Sequence, residues 1–283
     1  MRSKDRVIPP FILFLIISFC LIILFSLIGP ALFFKVDLGE TALSDRMLPP
    51  SFAAGGKPEF FLGTDNLGRN FGIRLVYATR NSLFIAFSGM LIASVIGTML
   101  GIVGGLYGGW IDTIVCFLID TRMSVPFIII AIVCASIFGS SKTALILIIG
   151  FTGWDSFARL TRGQILQLKG ATFIECSRAI GASKFRILFE HILRNISSPL
   201  IVNATMKLSS FILLESTLSF LGLGIMPPDV SLGVLVSAGR NYLINAPWLT
   251  LIPSLMIFLI VFQVSLIGDW LRDKLDPKLQ RDS

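Results

Sequence analysis

The chain has 283 residues, is 54% hydrophobic and 14% charged, and carries a mean hydropathy of +0.83 and a formal net charge of +7. A water-soluble domain is about a quarter charged residues, so this chain has too few charges to cover a water-facing surface. The excess of Lys and Arg is read as charge retained on the cytoplasmic side of a membrane, not as a nucleic-acid-binding surface.

A short basic start, Met1-Arg2-Ser3-Lys4-Asp5-Arg6, precedes an apolar run over residues 8–34. The run is longer than a signal-peptide core and no A-x-A site follows it, so it is predicted as an uncleaved first transmembrane helix. Residues 35–80 are polar and rich in Pro and Gly, with six Lys/Arg against five Asp/Glu. Further apolar runs at 82–107, 113–138, 143–158, 199–223 and 247–268 bring the total to about six, each near the roughly 20 residues that cross a bilayer. The expected fold class is all-α, a polytopic membrane helix bundle of about six transmembrane helices with a cytoplasmic helix–turn–helix loop.

Loop charges set the expected orientation. Residues 159–194 carry seven Lys/Arg against Glu175 and Glu190, and the tail after Trp270 adds Arg272, Lys274, Lys278 and Arg281. With about six spans these segments and the N-terminus share one side, and the positive-inside rule makes it cytoplasmic. Segments 35–80 and 224–246 then face outward.

Several features inside the runs carry two readings each. Gly97, Gly101, Gly105 and Gly109 stand four apart, which lets helix backbones approach closely in lipid. The face they form serves either an intersubunit or pore-side contact or packing within the bundle. Asp120 and Arg122, with Asp155, Lys207 and Glu215, are ionisable groups in apolar surroundings and need partners. They either line a solute pathway or fix helix packing; packing is the preferred reading for Asp120, Arg122 and Asp155, and neither is preferred for Glu215. Pro126 removes a helical hydrogen bond and is expected to kink the third span. Cys20, Cys116, Cys134 and Cys176 form no C-x-x-C pair, so they read as small buried apolar residues.

Residues 175–194 are the most informative. Ile174, Ala179 and Ile180 fall near one helical face, Gly181 breaks the helix, and Ser183 is placed to cap a second helix. Phe185, Leu188, Phe189 and Ile192 then lie along one side of that helix. Small and apolar residues exposed on such a helix–turn–helix invite another protein to cover them.

This stretch resembles the EAA loop of ABC importer permeases, in which Glu-Ala-Ala, three residues, Gly and a hydrophobic stretch follow one another. Glu175 and Gly181 match at that spacing, Cys176 and Ser177 stand where Ala-Ala is usual, and Arg194 stands where Pro is usual. Leu48-Pro49-Pro50-Ser51, Leu62-Gly63-Thr64-Asp65-Asn66-Leu67-Gly68-Arg69-Asn70 and Tyr107-Gly108-Gly109-Trp110-Ile111-Asp112 resemble the dipeptide/oligopeptide-type branch. So do Ala158-Arg159-Leu160-Thr161-Arg162-Gly163, Leu218-Ser219-Phe220-Leu221-Gly222-Leu223-Gly224 and Gly268-Asp269-Trp270-Leu271-Arg272-Asp273-Lys274-Leu275-Asp276-Pro277. The match is nearest the second, shorter permease of such systems.

The resemblance implies residues 1–34 as N-terminus and first helix, 35–80 as an extracytoplasmic loop, and 81–283 as a permease core. The core holds a coupling loop at about 159–198 and a cytoplasmic tail. An ATPase-docking loop is implied at Glu175, Cys176, Ser177, Ala179, Gly181, Ala182 and Ser183. Implied partners are a second homologous permease, two ATP-binding subunits, an extracytoplasmic solute-binding protein and the lipid bilayer of a bacterial inner membrane. Peptides are the implied solute; nickel or a metal chelate on the same architecture is the alternative, and a stand-alone channel or carrier a distant third.

No G-x-x-x-x-G-K-[ST] loop is present, since Gly56-Lys57 is followed by Pro58 and lacks the upstream glycine. His191 is the only histidine. Neither a cofactor nor enzymatic chemistry is expected in this chain.

Overall fold

The computed structural model describes residues 8–32 and 38–275. The basic start Met1–Arg6, Lys35, Asp276-Pro277, Lys278 and Arg281 lie outside the described residues. Within those described, the chain is helical apart from loops and one isolated bridge between Thr64 and Asn70.

Helix α1 (Pro10–Leu32) covers the first apolar run. Helix α2 (Phe71–Tyr107) begins ahead of the second run and takes in the polar residues before it. Asn70 starts it by accepting the Ile73 amide at 3.2 Å, a side-chain N-cap. At 1.5 Å per residue its 37 residues span about 55 Å, well beyond the ~30 Å hydrocarbon core. The helix therefore reaches both faces of a bilayer and links whatever sits at its two ends.

The third run does not form one kinked helix. It is split into α3 (Gly109–Ser124) and α4 (Phe127–Phe138), which meet at 87°. Pro126 has no amide to donate, and it pushes Val125 out of the helical region to φ −100, ψ 124. The fourth run is longer than expected: α5 (Lys142–Thr152) passes across Gly153 and Trp154 into α6 (Asp155–Lys169). Residues 159–169 are therefore helix, and the loop proper starts after Lys169.

A short helix α7 (Thr172–Ala179) follows, then α8 (Lys184–Arg186), which runs through a π-helical turn (Ile187–Ile192) into α9 (Leu193–Leu218). Arg194 stands inside this continuous helical path, so no break marks the entry to the fifth span. Segment 224–246 is more than a loop: α10 (Leu232–Gly239) folds back onto α9 and α11 (Trp248–Leu275). Among the described residues, five helices are long and apolar enough to cross a membrane, or six when α3 and α4 count as one crossing.

The glycine row on α2 is a packing face within the bundle. A Cβ at Gly97 would sit 2.3 Å from the Trp154 carbonyl oxygen, and one at Gly101 2.6 Å from that of Ala158. One at Gly105 would meet Ile165 at 2.9 Å. Backbone thus lies on backbone along the α2–α6 seam, the close approach that small residues allow in lipid. Gly109 is not in the row; at φ +57 it turns the chain into α3. The contacts rise in number together on both helices, so α5–α6 runs parallel to α2. Ser265 donates to Ser209 at 3.1 Å, and further along α11 Gly268 lies against Thr205, so α11 runs antiparallel to α9. The alternation brings the start of α1, the 170–186 turn and the end of α11 to one end of the bundle, and segment 38–70 and α10 to the other.

Gly101→Ala should destabilise the protein by about 1–3 kcal/mol through overpacking, despite alanine's higher helix propensity. Gly163→Ala on exposed α6 surface, where nothing lies within 4 Å of an added Cβ, should be neutral or stabilising. Thermal unfolding of the two purified variants in one detergent checks the contrast.

Candidate functional site

The helix–turn–helix is built by short-range chemistry. Gly181 has φ +84, a left-handed conformation open to glycine. It lets the Ala182 amide donate back to the Ser177 carbonyl at 3.0 Å, the bond that closes a Schellman-type helix end. Two residues later the Ser183 hydroxyl accepts the Arg186 amide at 3.2 Å and caps the next helix. His191 then ties the two helices together. Its Nε2 is 3.2 Å from the Ser177 hydroxyl, and its ring stands edge-on to Phe173 at 6.0 Å between centroids.

An isoleucine cluster holds this unit on the bundle. Ile165, Ile174, Ile187, Ile192 and Ile196 are buried together, with Ile102 and Leu106 of α2 packed against them. The apolar face differs from the expected one. Ile187 turns inward with Ile192, while Phe185 and Phe189 point out, because the π-helical turn shifts the register of the side chains. Ile180, expected beside Ile174, is 86% exposed. The turn thus presents Ile180, Phe185 and Phe189 to whatever lies beyond it. Glu175, Cys176, Ala179, Gly181 and Ser183 are exposed around them, with Ser177 and Ala182 half-buried. All seven residues of the predicted docking loop lie in this one unit.

Two polar ties fasten the same end of α6. The Arg162 guanidinium donates to both carboxylate oxygens of Asp112, at 2.5 and 2.7 Å. This fork-to-fork pair is the directional form of an ion pair, and it joins the start of α3 to α6. Lys169 donates to the Leu106 carbonyl at 2.7 Å near the end of α2. Neither tie was anticipated. The signal was present, because Asp112 and Arg162 each sit inside a family-like motif, but no spacing rule pairs residues fifty apart.

The polar residues predicted inside the spans do not converge. Arg122 donates to the Thr152 carbonyl at 2.7 Å, capping the open end of α5, and lies 5.2 Å from the centroid of the Phe127 ring. It braces the α3–α4 break. Asp120 is exposed two residues before Arg122 on α3, Asp155 occupies the first turn of α6, and Lys207 is half-buried along α9. Glu215 is fully buried and accepts from the Ser219 hydroxyl at 2.7 Å, which in turn accepts from Ser231 at 3.1 Å. The neighbouring Ser82 hydroxyl accepts the Leu232 amide at 3.1 Å, and Asn81 donates to the Val230 carbonyl at 2.7 Å. Glu215 therefore belongs to a polar knot that pins the entry of α10 to α2 and α9, walled off from solvent.

At the opposite end, segment 38–70 is an ordered cap. Thr64 accepts the Leu48 amide at 2.8 Å and donates to the Asp45 carbonyl. The Asp45 carboxylate accepts from Lys57 and holds that amine above its ordinary range.

Comparison with known proteins gives a consistent result. Residues 97–281 match the family model described as binding-protein-dependent transport system inner membrane component. The chain is 39% identical over 268 residues to the dipeptide transport system permease protein DppC of Haemophilus influenzae, covering 94% of this chain and 90% of that protein. It is 34% identical over 266 residues to the oligopeptide transport system permease protein OppC of Bacillus subtilis, covering 94% and 85%. A chain of the MetNI methionine ABC transporter in an inward-facing conformation superposes with a TM-score of 0.55 at 23% identity, covering 71% of this chain and 96% of that one. That likeness establishes a shared helical fold.

Glu215→Ala should cost about 2–5 kcal/mol of stability, since it leaves a cavity and strands the Ser219 and Ser231 hydroxyls. A lower unfolding temperature in detergent is the expected readout. Unchanged stability with impaired transport would instead make Glu215 a pathway residue.

Proposed function

The chain belongs to the family of binding-protein-dependent transport system inner membrane components, and from that premise we propose that it forms half of a peptide translocation pathway driven through its 175–194 loop. It is a multi-pass permease of the inner membrane and part of an ATP-driven importer. The solute reading rests on the relatives' names, which specify dipeptide and oligopeptide transport. In this reading a second homologous permease completes the pathway, and an extracytoplasmic binding protein delivers the peptide at the end formed by segment 38–70 and α10. Two ATP-binding subunits carry the hydrolysis.

The loop charges support the orientation: both termini and the 170–186 turn face the cytoplasm. The carrying observation for the mechanism is the exposed trio Ile180, Phe185 and Phe189 on a turn that is itself anchored. Apolar side chains this open in an aqueous compartment are docking surface. An ATPase groove closing over them pushes on α7 and the π-helical turn. The isoleucine cluster and the Asp112–Arg162 pair then pass the push to α2 and α6 as one body. Glu175 and Cys176 lie on the face of α7 that meets the ATPase, and Gly181 keeps the two short helices at a fixed angle.

Gly181→Val tests this directly. Nothing in this chain lies within 4 Å of an added Cβ, so the cost within the subunit is backbone strain at φ +84, of order 1–3 kcal/mol for a non-glycine residue. A β-branched residue resists that conformation. Membrane insertion should be intact, while peptide-stimulated ATP hydrolysis by the reconstituted complex should fall to the basal rate. Normal stimulation in this variant would remove the docking loop from the mechanism.

A further inference from the structure

The segment before α2 contains a second charged site, in which two guanidiniums meet one buried carboxylate. Asp65 is buried, with Oδ1 accepting the amides of Leu67 and Arg69 at 2.8 and 3.0 Å and Oδ2 accepting Arg69 Nε at 2.7 Å. Arg74, in the first turns of α2, approaches the same Oδ2 at 3.4 Å. That ion pair is too long and too poorly aimed for a hydrogen bond, and the buried Arg74 Nε has no hydrogen-bond partner. Its Nη1 donates weakly to the Leu38 carbonyl, at 3.3 Å. Arg74 is only 6% exposed, so two guanidiniums share one buried carboxylate that already accepts three hydrogen bonds. A buried charge without full compensation is costly.

Arg69 and Arg74 line a cavity of about 290 Å³, together with Glu40, Phe60, Asn70 and Ile73. The cavity opens beside the N-terminus of α2, where the helix dipole also favours negative charge. Glu40 stands exposed at its rim. We propose that this cavity binds a carboxylate, held by the Arg69 and Arg74 guanidiniums at the start of α2. Guanidinium geometry suits a planar carboxylate, and the one guanidinium charge that Asp65 leaves unmatched, with an acid already at the rim, suits a monoanion better than a dianionic phosphate. The volume admits the carboxylate with the residue that bears it. Two sources supply that chemistry: the free C-terminus of a peptide solute, or an Asp or Glu side chain of the extracytoplasmic binding protein. The choice of sources rests on the peptide-import reading; carboxylate binding itself does not.

The test uses the purified transporter complex in nanodiscs without nucleotide, so that a failure of loop coupling leaves the readouts unaffected. Titration calorimetry compares trialanine with its C-terminal amide, and surface binding measures the affinity of the solute-free binding protein. For wild type and Arg74→Gln, a drop of about tenfold or more is expected in one arm, the size of a lost charged hydrogen bond. Preference for trialanine over its amide, lost in Arg74→Gln, assigns the carboxylate to the solute. Weaker docking of the binding protein to Arg74→Gln assigns it to the partner. No change in either arm in a folded Arg74→Gln complex overturns the proposal, as does stronger competition by inorganic phosphate than by acetate. If Arg74→Gln does not fold, Glu40→Gln decides. Removing the rim anion should tighten binding several-fold in one arm, and unchanged binding in both overturns the proposal.

Discussion

The arrangement depends on one contact, the seam where α6 lies backbone to backbone against α2. Gly97, Gly101 and Gly105 have no side chains to hold the helices apart, and the carbonyls of Trp154 and Ala158 come within reach of where a methyl group would be. In a bilayer no hydrophobic effect drives helices together, so close packing over such a seam is what fixes their relation. Everything at the cytoplasmic end in the proposed orientation is built on it. The isoleucine cluster roots the helix–turn–helix in α2 and α6, and Lys169 and the Asp112–Arg162 pair tie α6 to the end of α2 and the start of α3. A push on the turn therefore meets a stiff body and not a hinge.

The same helix carries that body across the membrane. Helix α2 ends beside the turn at Tyr107 and begins at Phe71 beneath the 38–70 cap. Its other neighbours are tied near that far end, where Ser82 and Asn81 bond the backbone entering α10 and Glu215 completes the knot from α9. Displacing α2 at one end must carry these attachments with it. The bent α3–α4 pair, broken at Pro126 and braced by Arg122, is the least continuous part of the bundle. In the proposed orientation the seam is the physical route from the docking turn to the end where the 38–70 cap lies.

Much of this was legible in the sequence, and the reasons are particular. Apolar runs placed the spans, because hydrocarbon thickness sets their length. Gly181 and Ser183 announced the turn, because left-handed backbone and helix capping are local requirements that one residue meets. Proline in a membrane helix can be absorbed by neighbours, so its position alone predicts a kink; here Val125 becomes extended and the chain turns by 87°. The face of the second short helix was misassigned because a π-helical turn changes the period on which the pattern was read. The tail of α6 looked like loop because Arg159, Arg162 and Lys169 lowered its hydropathy. The Asp112–Arg162 pair, the Glu215 knot and the Asp65–Arg69–Arg74 cluster join elements distant in sequence, or depend on which atoms end up buried. Neither can be read from spacing.

The central claim, that the anchored turn is a cytoplasmic docking surface for an ATPase, is tested most directly at Cys176. This cysteine is exposed on α7, and replacing Cys20, Cys116 and Cys134 with serine leaves it as the sole thiol. The measurement is labelling by a membrane-impermeant maleimide in oriented vesicles, with and without the ATP-binding subunits. The account predicts labelling from the cytoplasmic face of vesicles that lack those subunits, and protection once they are bound. Labelling from the opposite face alone, or labelling that the bound subunits leave unchanged, would contradict it.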